Sequence, residues 1–355
     1  MTRFVSALAV VILALAGCRS DEPAMSGSEA AVTKGGKALY DQYCALCHGE
    51  NLEGYAADDA NALANADFLA TASDRFLHAA IRQGRPGTAM AAYDKAYGGP
   101  LGHDEVDLLV TYIRSFQSEP SLKLSAAPVG GDAEAGRVVY ERRCIGCHGR
   151  EGGGNTALSL NNRIFLDTAS DSYIRYAIAK GRRGTKMPSF EKRLKPEEID
   201  NLTAYIRSLK GDDAALVEGE PPPSFENVVV NPNGPMPRFS PLREGRYVPM
   251  AEVAAALEAG ARLVFLDARA PSDWMRSHIP GALPVPYYDP ERMADALPRD
   301  GTWILAYCAC PHAASGKVMD RLRSLGFENT AVIDEGILKW IEAGYPVATG
   351  KETAP

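Results

Sequence analysis

The chain has 355 residues, enough for two or three domains, with 38 Lys and Arg against 45 Asp and Glu. A formal charge of −7 and a pI near 5.5 leave no basic stripe to neutralise phosphates, which argues against nucleic-acid binding. All seven cysteines fall in chemical motifs, so none remains for a structural disulfide framework.

Residues 1–18 read as a targeting segment and stand outside the fold. Arg3 supplies a positive start, and the apolar run from Val5 to Ala16 is too short for a comfortable membrane span. Leu15-Ala16-Gly17-Cys18 resembles a bacterial lipobox. That resemblance implies cleavage before Cys18, lipidation of its thiol and new amino group, and anchoring at the periplasmic side of a bacterial membrane. The alternative is an ordinary secretory signal that happens to contain a Cys.

The pattern Cys-x-x-Cys-His then occurs twice, as Cys44-Ala45-Leu46-Cys47-His48 and Cys144-Ile145-Gly146-Cys147-His148. Two thiols three positions apart can add to the two vinyl groups of one porphyrin, and the adjacent His then ligates the iron. The expectation is two covalently bound haem c groups, held by Cys44, Cys47, Cys144 and Cys147, with His48 and His148 as axial iron ligands. Haem carboxylates would make the surface more acidic still, which points to a basic docking partner.

Each motif lies in one copy of an internal repeat, residues 33–117 and 130–210. Each copy opens with a predicted helix running into the motif, at 36–43 and 135–143. Phe68-Leu69-Ala70-Thr71-Ala72-Ser73-Asp74 maps onto Phe165-Leu166-Asp167-Thr168-Ala169-Ser170-Asp171, and Gly87-Thr88-Ala89-Met90 onto Gly184-Thr185-Lys186-Met187, both at an offset of 97 residues. Amphipathic helices close the copies: Val106, Leu109, Val110, Ile113 and Phe116 share one face in the first, and Ile199, Leu202, Ile206 and Leu209 in the second. Pro196 suits a first helical turn.

Each unit thereby resembles a small class I cytochrome c domain. The resemblance implies an all-helical fold and a distal Met ligand, for which Met90 and Met187 fit. Met187-Pro188 reproduces the family's Met-Pro pair, whereas Ala91 follows Met90. His78 and His103 are expected at the surface, since their repeat counterparts Arg175 and Pro196 cannot ligate iron. The polar stretch 117–131 links the units, and the Pro-rich stretch 211–241 reads as a semi-extended spacer.

From residue 242 to about 350 the pattern alternates between helix and strand. Apolar runs at 263–266, 303–306 and 331–333 are of buried-strand type, separated by amphipathic segments at 250–257, 317–325 and 337–343. That order predicts an α/β domain with a central parallel sheet, whose ligand site lies beyond the carboxyl ends of its strands. Tyr307-Cys308-Ala309-Cys310-Pro311-His312 follows one such strand.

Leu266-Asp267-Ala268-Arg269, His278-Ile279-Pro280-Gly281-Ala282, Tyr307-Cys308 and Gly326-Phe327-Glu328-Asn329 carry a resemblance to the rhodaneses, extended by Gly336, Trp340 and Gly344-Tyr345-Pro346. It implies a nucleophilic loop cysteine that accepts sulfane sulfur as a persulfide, with the anion cradled at a helix N-terminus. Strand position favours Cys308, while counting back from Leu322 puts Cys310 in register, as nucleophile or resolving thiol. The family's loop-end Arg is absent; Arg269, His312, Ser315 and Lys317 are the candidates for holding an anion. The combination implies electron transfer coupled to sulfur-compound chemistry, with redox partner proteins as donor and acceptor. The rival is an electron shuttle whose C-terminal domain only docks; a sulfide or redox sensor is a third reading, without a visible output domain.

Overall fold

The computed structural model describes residues 27–57, 60–209, 228–239, 241–309 and 312–350. The Cys18 lipobox, Cys310 and most of the expected 211–241 spacer lie outside the described residues.

The two repeats fold as the same helical unit. In the first, α1 (Gly27–Tyr43) and α2 (Ala45–His48) meet at an elbow on Cys44; α3 (Ala66–Thr71), α4 (Asp74–Gln83) and α5 (His103–Arg114) follow. In the second, α6 (Ala133–Arg143), α7 (Ile145–His148), α8 (Arg163–Thr168), α9 (Asp171–Lys180) and α10 (Pro196–Ser208) repeat that order. Side-chain caps set the middle helices: Asn65 and Asn162 accept backbone N–H groups at α3 and α8, and Ser73 and Ser170 do so at α4 and α9. Pro196 occupies the first turn of α10, where its missing N–H costs nothing.

Opening and closing helices cross at closest range on a glycine. A Cβ on Gly36 would meet Leu108 O at 2.4 Å, and one on Gly136 would meet Asn201 O at 2.0 Å. Beside each crossing an aromatic pair packs, Tyr40 with Tyr112 at 5.5 Å and Tyr140 with Tyr205 at 5.1 Å between centroids. The expected apolar faces of α5 and α10 are buried there, from Val106, Leu109, Val110 and Ile113 to Ile199, Leu202 and Ile206. Phe116 lies past the end of α5 and Leu209 caps α10, both partly buried.

The C-terminal domain runs β1 (Tyr247–Val248), α11 (Met250–Glu258), β2 (Leu263–Asp267), α12 (Pro271–Arg276), β3 (Leu283–Pro284), β4 (Trp303–Tyr307), α13 (Ala313–Ser324), β5 (Thr330–Ile333) and α14 (Gly336–Glu342). Its sheet has the order β1-β5-β4-β2-β3 and every pairing is parallel. Helices cover both faces, which explains why β2, β4 and β5 read as unbroken apolar runs. β1 and β3 were not expected; two residues each are too few to carry a periodic signal.

One expectation is corrected. Part of the 211–241 spacer belongs to this domain: Val230 and Leu263 exchange backbone hydrogen bonds of 2.8 and 3.1 Å, and Val230 and Phe239 are buried in its core. The run Val228-Val229-Val230 is too short, and Phe239 too far from it, to make a strand pattern among the prolines.

Replacing Gly136 by Ala would push α6 off α10 by overpacking. A destabilisation of about 1–3 kcal/mol is expected, read as a lower thermal midpoint of the holoprotein.

Candidate functional site

Both Cys-x-x-Cys-His motifs sit at the same helix elbow, and the same contacts hold them. Tyr40 donates to Gly49 O at 2.7 Å and Tyr140 to Gly149 O at 2.9 Å. His48 O and His148 O accept the N–H groups of Gly54 and Gly154. His48 Nδ1 lies 2.9 Å from Asn61 O, and His148 Nδ1 lies 3.0 Å from Leu158 O. A carbonyl only accepts, so each Nδ1 carries the proton and the ring orientation is fixed, with Nε2 in the basic form a metal ligand needs. Burial pushes the His48 pKa down, which keeps that ring neutral.

The methionine loops also match. Arg85 N donates to Met90 O at 2.7 Å and Arg182 N to Met187 O at 3.0 Å. Thr88 and Thr185 hydroxyls donate back to Arg85 O and Arg182 O, and accept from Met90 N and Met187 N. Gly84 and Gly181 open these loops at φ of 65° and 70°; a Cβ there would meet Ala91 C at 2.4 Å and Met187 O at 2.6 Å.

The junction between the units joins equivalent faces of the two copies. Arg85 spreads over Phe76 of one unit and Phe165 of the other, 5.0 and 5.5 Å from the ring centroids, and its Nη1 is buried without an acceptor among the described residues. Burial pushes that guanidinium down to about 10, still protonated at neutral pH. A buried, charged donor lacking an acceptor, next to a methionine loop, fits a group that brings its own carboxylates, as haem does. Nearby, Asp67 is 4% exposed and accepts from the backbone and side chain of Arg183 at 2.7 and 2.9 Å. Asn65 donates to Arg183 O at 2.7 Å and Asn162 to Pro86 O at 2.8 Å.

The C-terminal domain is seated on the first motif alone. Tyr287 donates to Tyr43 O, one residue before Cys44, and so accepts from the Tyr93 hydroxyl, 2.8 Å away. Tyr288 packs edge-on against Tyr43 at 4.9 Å, Ser272 donates to Ala92 O at 2.8 Å, and Leu46 inside the motif packs on the core layer that holds Cys308. Burial pushes both Tyr93 and Tyr287 well above the usual phenol range, so neither ionises near neutrality. Sequence reading missed this seam; Tyr287-Tyr288, just past the short β3, was its only local trace.

Of the sulfur-loop candidates, the structure joins two: Cys308 Sγ lies 3.4 Å from Ser315 Oγ. Cys308 directly follows β4, is 1% exposed, and its carbonyl accepts from Ile337 N at 2.9 Å. His312 instead pairs with Asp334 at 2.8 Å and lies over the Tyr247 ring, 4.1 Å between centroids. Burial pushes the Asp334 carboxyl up, but hydrogen bonds from Arg243 and His312 outweigh this and hold it below its ordinary value. Asp267 binds the Nε–Nη2 edge of Arg269 with both carboxylate oxygens, and Ser277 O accepts from Nη2 as well, so that edge is committed within the domain. Lys317 points to the seam, its Nζ 5.6 Å from the Tyr287 ring. His78 pairs with Asp107 at 3.5 Å and His103 is exposed at the start of α5, which agrees with their surface reading.

A protein-family model described as "Cytochrome C oxidase, cbb3-type, subunit III" matches residues 31–113 and 131–206, and one for the rhodanese-like domain matches residues 250–343. The cbb3-type cytochrome c oxidase subunit FixP of Bradyrhizobium sp. (strain ORS 278) is 31% identical over 186 residues, covering 50% of this chain and 60% of its own. CcoP, a cbb3-type oxidase subunit of Azospirillum sp. (strain B510), is 28% identical over 195 residues, covering 50% and 62%. The chain therefore spans less than two thirds of the length of these relatives. A rhodanese-related protein from Thermoplasma volcanium is 27% identical over 29% of this chain and 97% of its own, with a TM-score of 0.26. No helix among the described residues is long and apolar enough to cross a membrane.

The inter-unit ion pair has a testable pH signature. Burial pushes the Asp67 carboxyl up, but the hydrogen bonds and charge of Arg183 prevail and hold it below its ordinary 3.8. A depressed carboxylate contributes its full stability above the ordinary value and loses it as pH falls through the folded one. Asp67→Asn should therefore lower the urea midpoint at pH 7, and the gap to the parent should close below about pH 4.

Proposed function

We propose that this chain, which joins cytochrome c domains of the cbb3 subunit III type to a C-terminal rhodanese-like domain, is a two-haem electron carrier whose third domain takes a small sulfur anion. The observation that carries the reading is the equivalence of the two motif sites: the same Tyr, His, Gly, Thr and Met contacts support both. Cys44 with Cys47, and Cys144 with Cys147, would hold the porphyrins through thioethers. His48, His148, Met90 and Met187 would supply the ligands to iron. The bound group supplies a one-electron iron couple, and His/Met ligation favours a higher potential than two His. Arg85 is the chain's own donor for a haem carboxylate.

In the third domain Cys308 is the nucleophile and Ser315 its polar neighbour. The start of α13, five residues beyond Cys308 in the chain, offers its first-turn N–H groups and a partial positive charge that favour a thiolate. Its attack on thiosulfate would form the Cys308 persulfide and release sulfite. That transfer frees no electrons; those carried by the haems come from a partner dehydrogenase and pass to an acceptor oxidase or cytochrome. Cys310 would attack the inner sulfur of the persulfide and displace hydrosulfide, leaving a Cys308–Cys310 disulfide for a dithiol reductant to reopen, and Cys18 would carry the lipid that keeps the carrier at the periplasmic face. The burial of Cys308 favours a second reading, in which the rhodanese-like domain is a docking module and the protein a pure shuttle.

Two outcomes are expected of the purified holoprotein. The pyridine haemochrome should give two haem c per chain, and Met90→Ala and Met187→Ala should each remove part of the Met–iron charge-transfer band. With thiosulfate and cyanide, thiocyanate formation should fall to background in Cys308→Ser; if Cys308→Ser and Cys310→Ser both match the parent, the shuttle reading stands instead.

A further inference from the structure

The two motifs have diverged at the positions that frame them. Leu46 of the first packs on the C-terminal domain; the second has Gly146 there, with open space where a side chain would stand. Cys147 is exposed, whereas Cys47 is half-buried. Around the second motif stand Arg142 and Arg143 before Cys144, Arg150 after His148, and Lys186 before Met187. All four are exposed, and none makes an ion pair among the described residues. Their repeat counterparts are Gln42, Tyr43, Glu50 and Ala89, with no cation among them.

This reversal extends across each unit. Residues 131–206 hold thirteen Lys and Arg against ten Asp and Glu, while residues 31–113 hold six against eleven. A protein with a net charge of −7 thus concentrates positive charge on one of its two haem units. The basic partner expected from the net charge is corrected locally: long-range steering follows the field at the docking face, since screening removes distant charges within about 10 Å at ordinary salt.

We propose that the second motif is the external port of the chain, docking a one-electron redox protein with an acidic face, while the first is closed by the C-terminal domain and exchanges electrons only inside the molecule. At the port one electron leaves the second haem site as the docked protein's centre is reduced by one, with no atom transferred. The proposal rests on the reading that residues 144–148 carry haem, so haem content is measured on every variant.

The test uses the holoprotein with Arg143→Glu and Lys186→Glu, singly and together, and Lys95→Glu on the first unit as control. The electron acceptor is an acidic plastocyanin, and the anion hexacyanochromate(III) serves as a paramagnetic probe read by NMR. The parent should reduce plastocyanin at a rate that falls steeply with salt, and the double variant should be about tenfold slower with full haem content. Lys95→Glu should match the parent, and hexacyanochromate should broaden resonances of residues 142–150 but not 42–50. A rate indifferent to salt and to both reversals, or broadening centred on residues 42–50, overturns the proposal. So does a rate unchanged by reversals that abolish binding to phosphatidylglycerol vesicles, which would assign the face to a membrane. Loss of haem in the parent at the second motif defeats the underlying reading instead.

Discussion

The hydroxyl of Tyr287 is the point on which the arrangement of the molecule turns. A phenol buried between two domains must satisfy its donor and its acceptor within the protein, because burial takes it out of bulk solvent. Tyr287 does this with Tyr43 O and the Tyr93 hydroxyl, both on the first helical unit and both beside its cysteine motif. An apolar contact tolerates sliding; two hydrogen bonds to one oxygen do not. The seam therefore sets the register of the C-terminal domain on the first unit, and with it which motif is covered.

That choice explains how two copies of one unit came to differ. The helix elbow, the tyrosine under it, the glycine crossing and the methionine loop are common to both, as the proposed holding of one haem by each copy would require. What surrounds the motif answers to the neighbour. Facing a domain, the first unit uses Leu46 and Tyr43; facing solvent, the second uses Gly146, Arg143 and Lys186. The junction between the copies is made by the same face of each, with Asn65 donating to Arg183 O and Asn162 to Pro86 O at equivalent positions; the Asp67–Arg183 ion pair departs from the repeat, which has Ile164 and Pro86 at those positions.

Much of this was legible in the chain. Cysteine spacing, the repeat, and the apolar runs of β2, β4 and β5 are local patterns, and local patterns survive without knowledge of the fold. The position of Cys308 at the end of a buried strand was readable for the same reason. The seam was not, because Tyr43, Tyr93 and Tyr287 are far apart in sequence and nothing in their neighbours marks them. Arg269 shows the converse limit: its residue type allowed an anion-holding role, but only the fold reveals that Asp267 already binds the Nε–Nη2 edge of its guanidinium with both carboxylate oxygens. The charge reversal is legible in the repeat itself, where Arg142, Arg143, Arg150 and Lys186 stand opposite Gln42, Tyr43, Glu50 and Ala89.

Hydroxyl-radical footprinting of the holoprotein, read peptide by peptide, tests most directly whether one motif is closed and the other open. Residues 42–48 and 287–288 should stay protected while residues 142–150 oxidise readily. Equal oxidation of the two motif peptides, or ready oxidation of Tyr287, would contradict the seam and the asymmetry built on it.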